Sequence, residues 1–137
     1  MLIPLADVPR WYAERKPADS IAVSHGADAL TWHELERRAN ARARAFAAKG
    51  VKPGDFVAIG LPNSNAFFET TFAVWKCGAT PTSLSWRLPR GEAAAVLDRA
   101  QGVRRDAQAH RAAERVGEQG DVAQVREEPA LGLAVRV

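Results

Sequence analysis

The stretch FVAIGLPNSNAFFETTFAVWKCGATPTSL, residues 56–84, decides the fold. Phe56 to Leu61 is a short apolar run of the length of a buried strand. Pro62 and Asn63 break it, and either Ser64 or Asn65 offers a side-chain oxygen to the free amides of a following helix. At about 100° per residue, Phe67, Phe68, Thr71, Phe72 and Trp75 share one face roughly 140° wide, and Gly78 closes the pattern. Thr80 to Leu84 reads as a second strand. A strand, a helix and a strand in this order predict a βαβ crossover with parallel strands and a right-handed connection. The aromatic stripe is expected to pack on the sheet, with Phe67, Phe68, Phe72 and Trp75 directed into one core.

Working upstream, Ile21-Ala22-Val23 and Ala29-Leu30 flank Ser24-His25-Gly26-Ala27-Asp28, a hairpin pattern with glycine in the turn. Thr31 and Glu34 form a T-x-x-E capping box. The hydroxyl accepts from the amide three residues on, and the carboxylate accepts from the cap amide. A helix is therefore expected from this point, with Leu35, Ala39, Ala43, Phe46 and Ala47 on its apolar side and Gly50 as its stop. Lys52-Pro53-Gly54-Asp55 is a turn into the residue 56 strand. Downstream, Arg90-Gly91-Glu92 introduces another helix through Ala93, Val96 and Leu97. The expected class is α/β.

The alphabet changes near Ala100. All ten aromatic residues precede residue 87, and residues 101–137 contain no Phe, Trp, Tyr, Ile, Met, Lys, Ser, Thr or Asn. So little large apolar surface predicts a disordered or loosely helical tail outside the cooperative core. The expected organisation is thus a domain portion over residues 1–100 and an atypical tail over 101–137. A shifted or truncated GC-rich reading frame accounts best for the Arg, Ala, Gly and Val diet. A solvated Ala/Arg/Glu helix or linker and an interaction tail are the other readings.

The net charge of +3 is small and dispersed, which argues against nucleic acid as a partner. Arg37, Arg38, Arg42 and Arg44 form a basic cluster that reads as a solvated helix face, with Glu34 four residues ahead of Arg38 in the favourable order for an ion pair. The single cysteine, Cys77, excludes an internal disulfide, fits a reducing compartment and reads as a small buried hydrophobe. His25, His33 and His110 stand apart, and no spacing suggests a metal site. No run approaches membrane-spanning length, and Met1 to Ala6 is too short for a signal-peptide core. A cytoplasmic protein is expected.

Five pieces in a fixed order resemble the N-terminal part of the adenylate-forming enzymes, the acyl-CoA synthetase and AMP-dependent synthetase and ligase superfamily. They are Leu30-Thr31-Trp32-His33-Glu34-Leu35, Gly54-Asp55, Pro62-Asn63-Ser64, Gly78-Ala79-Thr80-Pro81 and Trp86-Arg87-Leu88, spread over about residues 8–100. Ser85-Trp86 departs from the family, where Asn-Pro is common. The resemblance implies a βαβ-containing portion of the large adenylate-forming domain. It also implies a parent reaction in which a carboxylic acid attacks ATP, with Mg²⁺, to give an acyl-adenylate that passes to coenzyme A.

The family's Ser/Thr/Gly-rich phosphate loop ending in Pro-Lys-Gly is not found in this chain, so no catalytic residue is assigned. The clustered hydroxyls of Thr80, Thr82, Ser83 and Ser85 are expected to serve a strand. Arg87 matches the arginine that in some acid–CoA ligases lies near the phosphate end of coenzyme A, and guanidinium suits a phosphate because its planar fork donates two charge-assisted bonds. The favoured reading is a truncated ATP-dependent acid–CoA ligase, inactive alone and prone to self-association through an uncovered sheet edge. The alternative is a non-catalytic α/β fragment or interaction module.

Overall fold

The computed structural model describes residues 2–99 and the backbone of residues 133–136. At its centre is the expected βαβ unit. Strand β3 (Phe56–Gly60) and strand β4 (Thr80–Ser83) pair in parallel, from Phe56 opposite Thr80 to Ile59 opposite Ser83, and helix α3 (Asn65–Lys76) joins them. Ser64 is the cap: its hydroxyl accepts from the Phe67 amide at 3.3 Å. Val57 and Ile59 of β3 meet Ala73 and Val74 of α3, together with Phe46 and Ala79, in one buried cluster.

The face that α3 buries is not the aromatic one. Glu69, Thr70, Ala73 and Val74 are buried, whereas Phe68 is 45% exposed and Phe72 and Trp75 are half-covered. Only Phe67 of the aromatic set packs against the central cluster. At helical spacing the buried residues occupy the arc complementary to the aromatic arc. The reason is the neighbour. Helix α2 (Trp32–Ala48) makes the most extensive contact with α3, and small side chains at that contact let the two helices approach closely. Phe72 and Trp75 instead meet each other edge to face, 5.3 Å between centroids.

A buried glutamate on the inner face of α3 needs a counter-charge, and α2 supplies two. Arg42 Nε donates to Glu69 Oε2 at 2.9 Å and Arg38 Nη1 to Oε1 at 3.2 Å. These two arginines are therefore anchors between helices, while Arg37 and Arg44 are exposed as their position opposite Leu35 and Ala39 requires. The expected pairing of Glu34 with Arg38 gives way to this clasp, because Glu34 is committed to its cap. A second tie across the helices joins Lys76 Nζ to Glu36 Oε2 at 2.9 Å. Desolvating an acid is costly unless its lone pairs are met, so removing Arg42, the less exposed partner, leaves the larger penalty.

Both helices end on left-handed glycines with the same bond pattern. After α2, Gly50 (φ 88°) donates to Ala47 and Val51 to Phe46; after α3, Gly78 (φ 70°) donates to Trp75 and Ala79 to Val74. These are Schellman stops, and in each the residue past the glycine packs near the carbonyl it caps, in or against the central cluster. The Pro53-Gly54 turn lies between them. The Asp55 amide donates to the Lys52 carbonyl, the buried Asp55 carboxylate accepts from the Lys52 amide at 2.8 Å, and the Gly54 amide donates to the Gly78 carbonyl at 2.9 Å.

The remaining elements brace this unit. Strands β1 (Ile21–His25) and β2 (Asp28–Thr31) form an antiparallel hairpin turning at Gly26 and Ala27, longer on both arms than its apolar residues indicated. Helix α1 (Val8–Ala13), preceded by a 3-10 turn at Leu5–Asp7, packs on α2 through Tyr12, whose ring stacks on Trp32 at 4.5 Å. Residues 90–99 are helical and bury Ala93.

The expectation of a tail outside the core concerns residues that are mostly outside the described set. For Leu133–Arg136 the outcome differs: they form strand β5, antiparallel to β3, in a sheet ordered β4-β3-β5. Backbone pairing does not need the large side chains on which the expectation rested.

Candidate functional site

Parallel pairing sets the carboxyl ends of β3 and β4 side by side. Because Ile59 stands opposite Ser83, residues 61–64 and 84–88 leave the sheet at the same end, the end at which open α/β sheets take ligands. Leu84 fixes this geometry by donating its amide to the Ile59 carbonyl at 3.0 Å while burying its side chain. The first loop is pinned as well. The Ser64 hydroxyl donates to the Pro62 carbonyl, and Asn65 Nδ2 donates to the Asp28 carbonyl of the hairpin at 3.2 Å.

The second loop carries Arg87, the one candidate binding residue, in a turn. Its amide donates to the Ser85 hydroxyl at 3.4 Å, and Leu88 closes the turn onto the Ser85 carbonyl at 3.2 Å. Arg87 is exposed, and its guanidinium lies 4.7 Å from the centroid of the Trp86 ring. A cation on an indole face gains about 0.5–1 kcal/mol at an exposed site, which biases the fork toward one position while leaving its N–H edge open. The sequence shows Trp86 only as a departure from the family pattern. The signal that would have identified its role is its position directly before the arginine.

Among the described residues, four carboxylates are committed to structural bonds. The carboxylates of Glu34, Asp55 and Glu69 accept bonds from the Thr31 amide, the Lys52 amide and the two α2 arginines, and Glu36 binds Asn40 and Lys76. Thr80 and Thr82 lie on β4. Among the described residues no three His, Cys, Asp or Glu side chains gather in a metal-holding group, and no helix is long and apolar enough to cross a membrane. His25 and His33 are exposed at separate places; His110 lies outside the described residues. Cys77 is half-buried where α3 meets α2. Its thiol faces the Ala43 carbonyl at 3.4 Å, and burial pushes its pKa up, which disfavours the nucleophilic thiolate.

Among the described residues, the Trp86–Arg87 turn follows β4 at the same sheet end as the Pro62–Ser64 loop, and no donor set there fits a nucleotide triphosphate or Mg²⁺.

Comparison with known proteins agrees with this architecture. A feruloyl-CoA synthase of Amycolatopsis sp is 45% identical over 74 residues, covering 54% of this chain and 15% of that protein. A peroxisomal acetate/butyrate–CoA ligase of Arabidopsis thaliana is 32% identical over 96 residues, covering 68% of this chain and 17% of that enzyme. The N-terminal subdomain of Klebsiella oxytoca NpsA, solved in complex with anthranilyl-AMSN, matches with a TM-score of 0.61 at 24% identity, over 68% of this chain and 25% of that one; this likeness shows the fold. The chain thus spans about a sixth of the length of these two curated relatives. The family described as AMP-binding enzyme matches residues 9–123, through both long helices, the parallel strands and the Arg87 turn, and the chain belongs to that adenylate-forming family, whose N-terminal portion it represents.

Proposed function

We propose that this chain carries the N-terminal portion of an ATP-dependent acid–CoA ligase and that, alone, it forms no acyl-adenylate. The observation that carries the ligase reading is the 45% identity with a feruloyl-CoA synthase over 74 residues, 54% of this chain. The parent family acts on carboxylic acids with ATP. In our reading coenzyme A is the acyl acceptor, Mg²⁺ accompanies the nucleotide, and Arg87, steadied by Trp86, donates to a phosphate oxygen of coenzyme A. A lone free cysteine supports a reducing compartment, the cytoplasm.

Adenylation needs donors and a metal held together around the α-phosphate. The described residues supply scaffold and, in this reading, one cationic contact, and a single such contact of roughly 1–3 kcal/mol does not retain a cofactor. Pyrophosphate release from ATP should therefore stay at background with any carboxylic acid tested. Release that depends on both ATP and an acid, and that survives repurification, would overturn inactivity. Sequencing the gene beyond the codon for Ala100 tests the origin of the tail. An alternative frame that resumes with a Ser/Thr/Gly-rich phosphate loop is the expected result, and its absence in all frames would favour a non-catalytic α/β module.

A further inference from the structure

We propose that the edge of β3 facing away from β4 is a strand-acceptor site, occupied by the chain's own Leu133–Arg136, and that this intramolecular pairing keeps a second copy off the edge.

The direction of each amide on β3 follows from two bonds. Thr80 donates to the Asp55 carbonyl and Leu84 to the Ile59 carbonyl, so Asp55 and Ile59, and Val57 between them, turn their backbone groups toward β4. Alternation along a strand then turns the amides and carbonyls of Ala58 and Gly60 the other way. Those two residues stand opposite Val135 and Leu133 of β5. In an antiparallel ladder, facing residues whose backbone groups point at one another exchange both bonds, so the amides of Leu133 and Val135 point into the sheet while that of Ala134 points away.

The two outer positions of the β4-β3 pair are protected in different ways. On β4 the outward-turned residues include Pro81, which has no amide to offer, the usual means of blunting an edge. On β3 the outward residues are Ala58 and Gly60, each with a full donor and acceptor. Ala58 is also almost completely buried, as are its neighbours Val57 and Ile59. An apolar strand with an intact row of partners is a template for another strand, and β5 covers it. The inference rests on this pairing and does not depend on the ligase reading.

The test compares residue-resolved amide exchange and light-scattering mass for the full chain, for Val135→Pro and for Ala134→Pro. In the full chain Ala58 and Gly60 should exchange as slowly as Val57 and Ile59, and the mass should be that of a monomer. Val135→Pro deletes an inward amide. It should speed Ala58 and Gly60 by roughly tenfold or more, leave Val57 and Ile59 slow, and make the mass rise with concentration. Ala134→Pro, lacking an outward amide only, should keep Ala58 and Gly60 protected. Ala58 and Gly60 exchanging fast in the full chain, or unmoved by Val135→Pro, would overturn the proposal. So would loss of their protection on dilution of a full-length dimer, or a Val135→Pro mass independent of concentration. Faster exchange at Val57 and Ile59 as well would show a core strand in place of a removable cover.

Discussion

The Thr31–Glu34 cap shows how much of an element's fate rests on two side chains. Glu34 accepts from the Thr31 amide at 2.9 Å while Thr31 accepts from the Glu34 amide at 3.2 Å, and the first of these bonds is the main cause that holds the Glu34 carboxyl below its ordinary pKa. A carboxyl depressed by folding adds stability above its unfolded value, and that contribution is lost as pH falls through the folded value. Acidification from the ordinary 4.5 downward should therefore unwind the start of α2. Far-ultraviolet circular dichroism against pH checks this: Glu34→Gln retains an accepting oxygen but no titrating carboxyl, and should remove that part of the acid transition. Curves of identical shape for the two proteins would show that the cap charge contributes nothing. This residue pair was fully legible in the sequence because a capping box involves neighbours only. The Glu69 clasp was not, since Arg38 and Arg42 meet their partner across 31 and 27 residues of chain, and sequence spacing carries no sign of that.

Elements here stop where glycine permits, and the two kinds of glycine separate cleanly. Gly26 at φ 60° has open space where a Cβ would stand, whereas at Gly78 (φ 70°) a Cβ would lie 3.1 Å from Pro53 Cβ and 3.3 Å from its Cα. Gly26→Ala should cost about 1–2 kcal/mol, the strain of the left-handed backbone alone. Gly78→Ala should cost measurably more, because the Pro53 turn has to shift and the Gly54-to-Gly78 bond with it. Chemical denaturation of the two variants checks the order, and equal midpoints would contradict the close approach. Helix ends, turns and the strand pair were readable at this scale, since each is announced by a residue with a special backbone or cap. The orientation of α3 was not. Periodicity showed that Phe67, Phe68, Phe72 and Trp75 share a face, but α3 carries apolar residues on both faces, and only contact with α2 selects the one bearing Ala73 and Val74. At the site, by contrast, the Trp86–Arg87 contact joins sequence neighbours and was open to reading, although it lay inside a departure from the family pattern.

Among the described residues, stability is concentrated where Val57 and Ile59 of β3 meet α3 and Phe46 of α2. Ile59→Ala empties a site that is 1% exposed and should destabilise by about 2–5 kcal/mol, while Phe68→Ala, at 45% exposure, should cost well under half as much. Thermal unfolding of both variants checks the contrast, and a larger loss at Phe68 would restore the aromatic face as the core. The distribution of glycine stops has a further meaning for how such a chain tolerates change. Both Schellman stops and the Pro53-Gly54 turn lie at the amino ends of β3 and β4, locked to one another by the Gly54-to-Gly78 bond. Residues 61–64 and 84–88 emerge at the opposite end, where the start of α3 is tied to the hairpin by the Asn65-to-Asp28 bond and not to another helix stop. Substitutions in the Trp86–Arg87 turn thus leave intact the fastening that holds the sheet to its helices, and one end of the sheet can diversify while the other stays fixed.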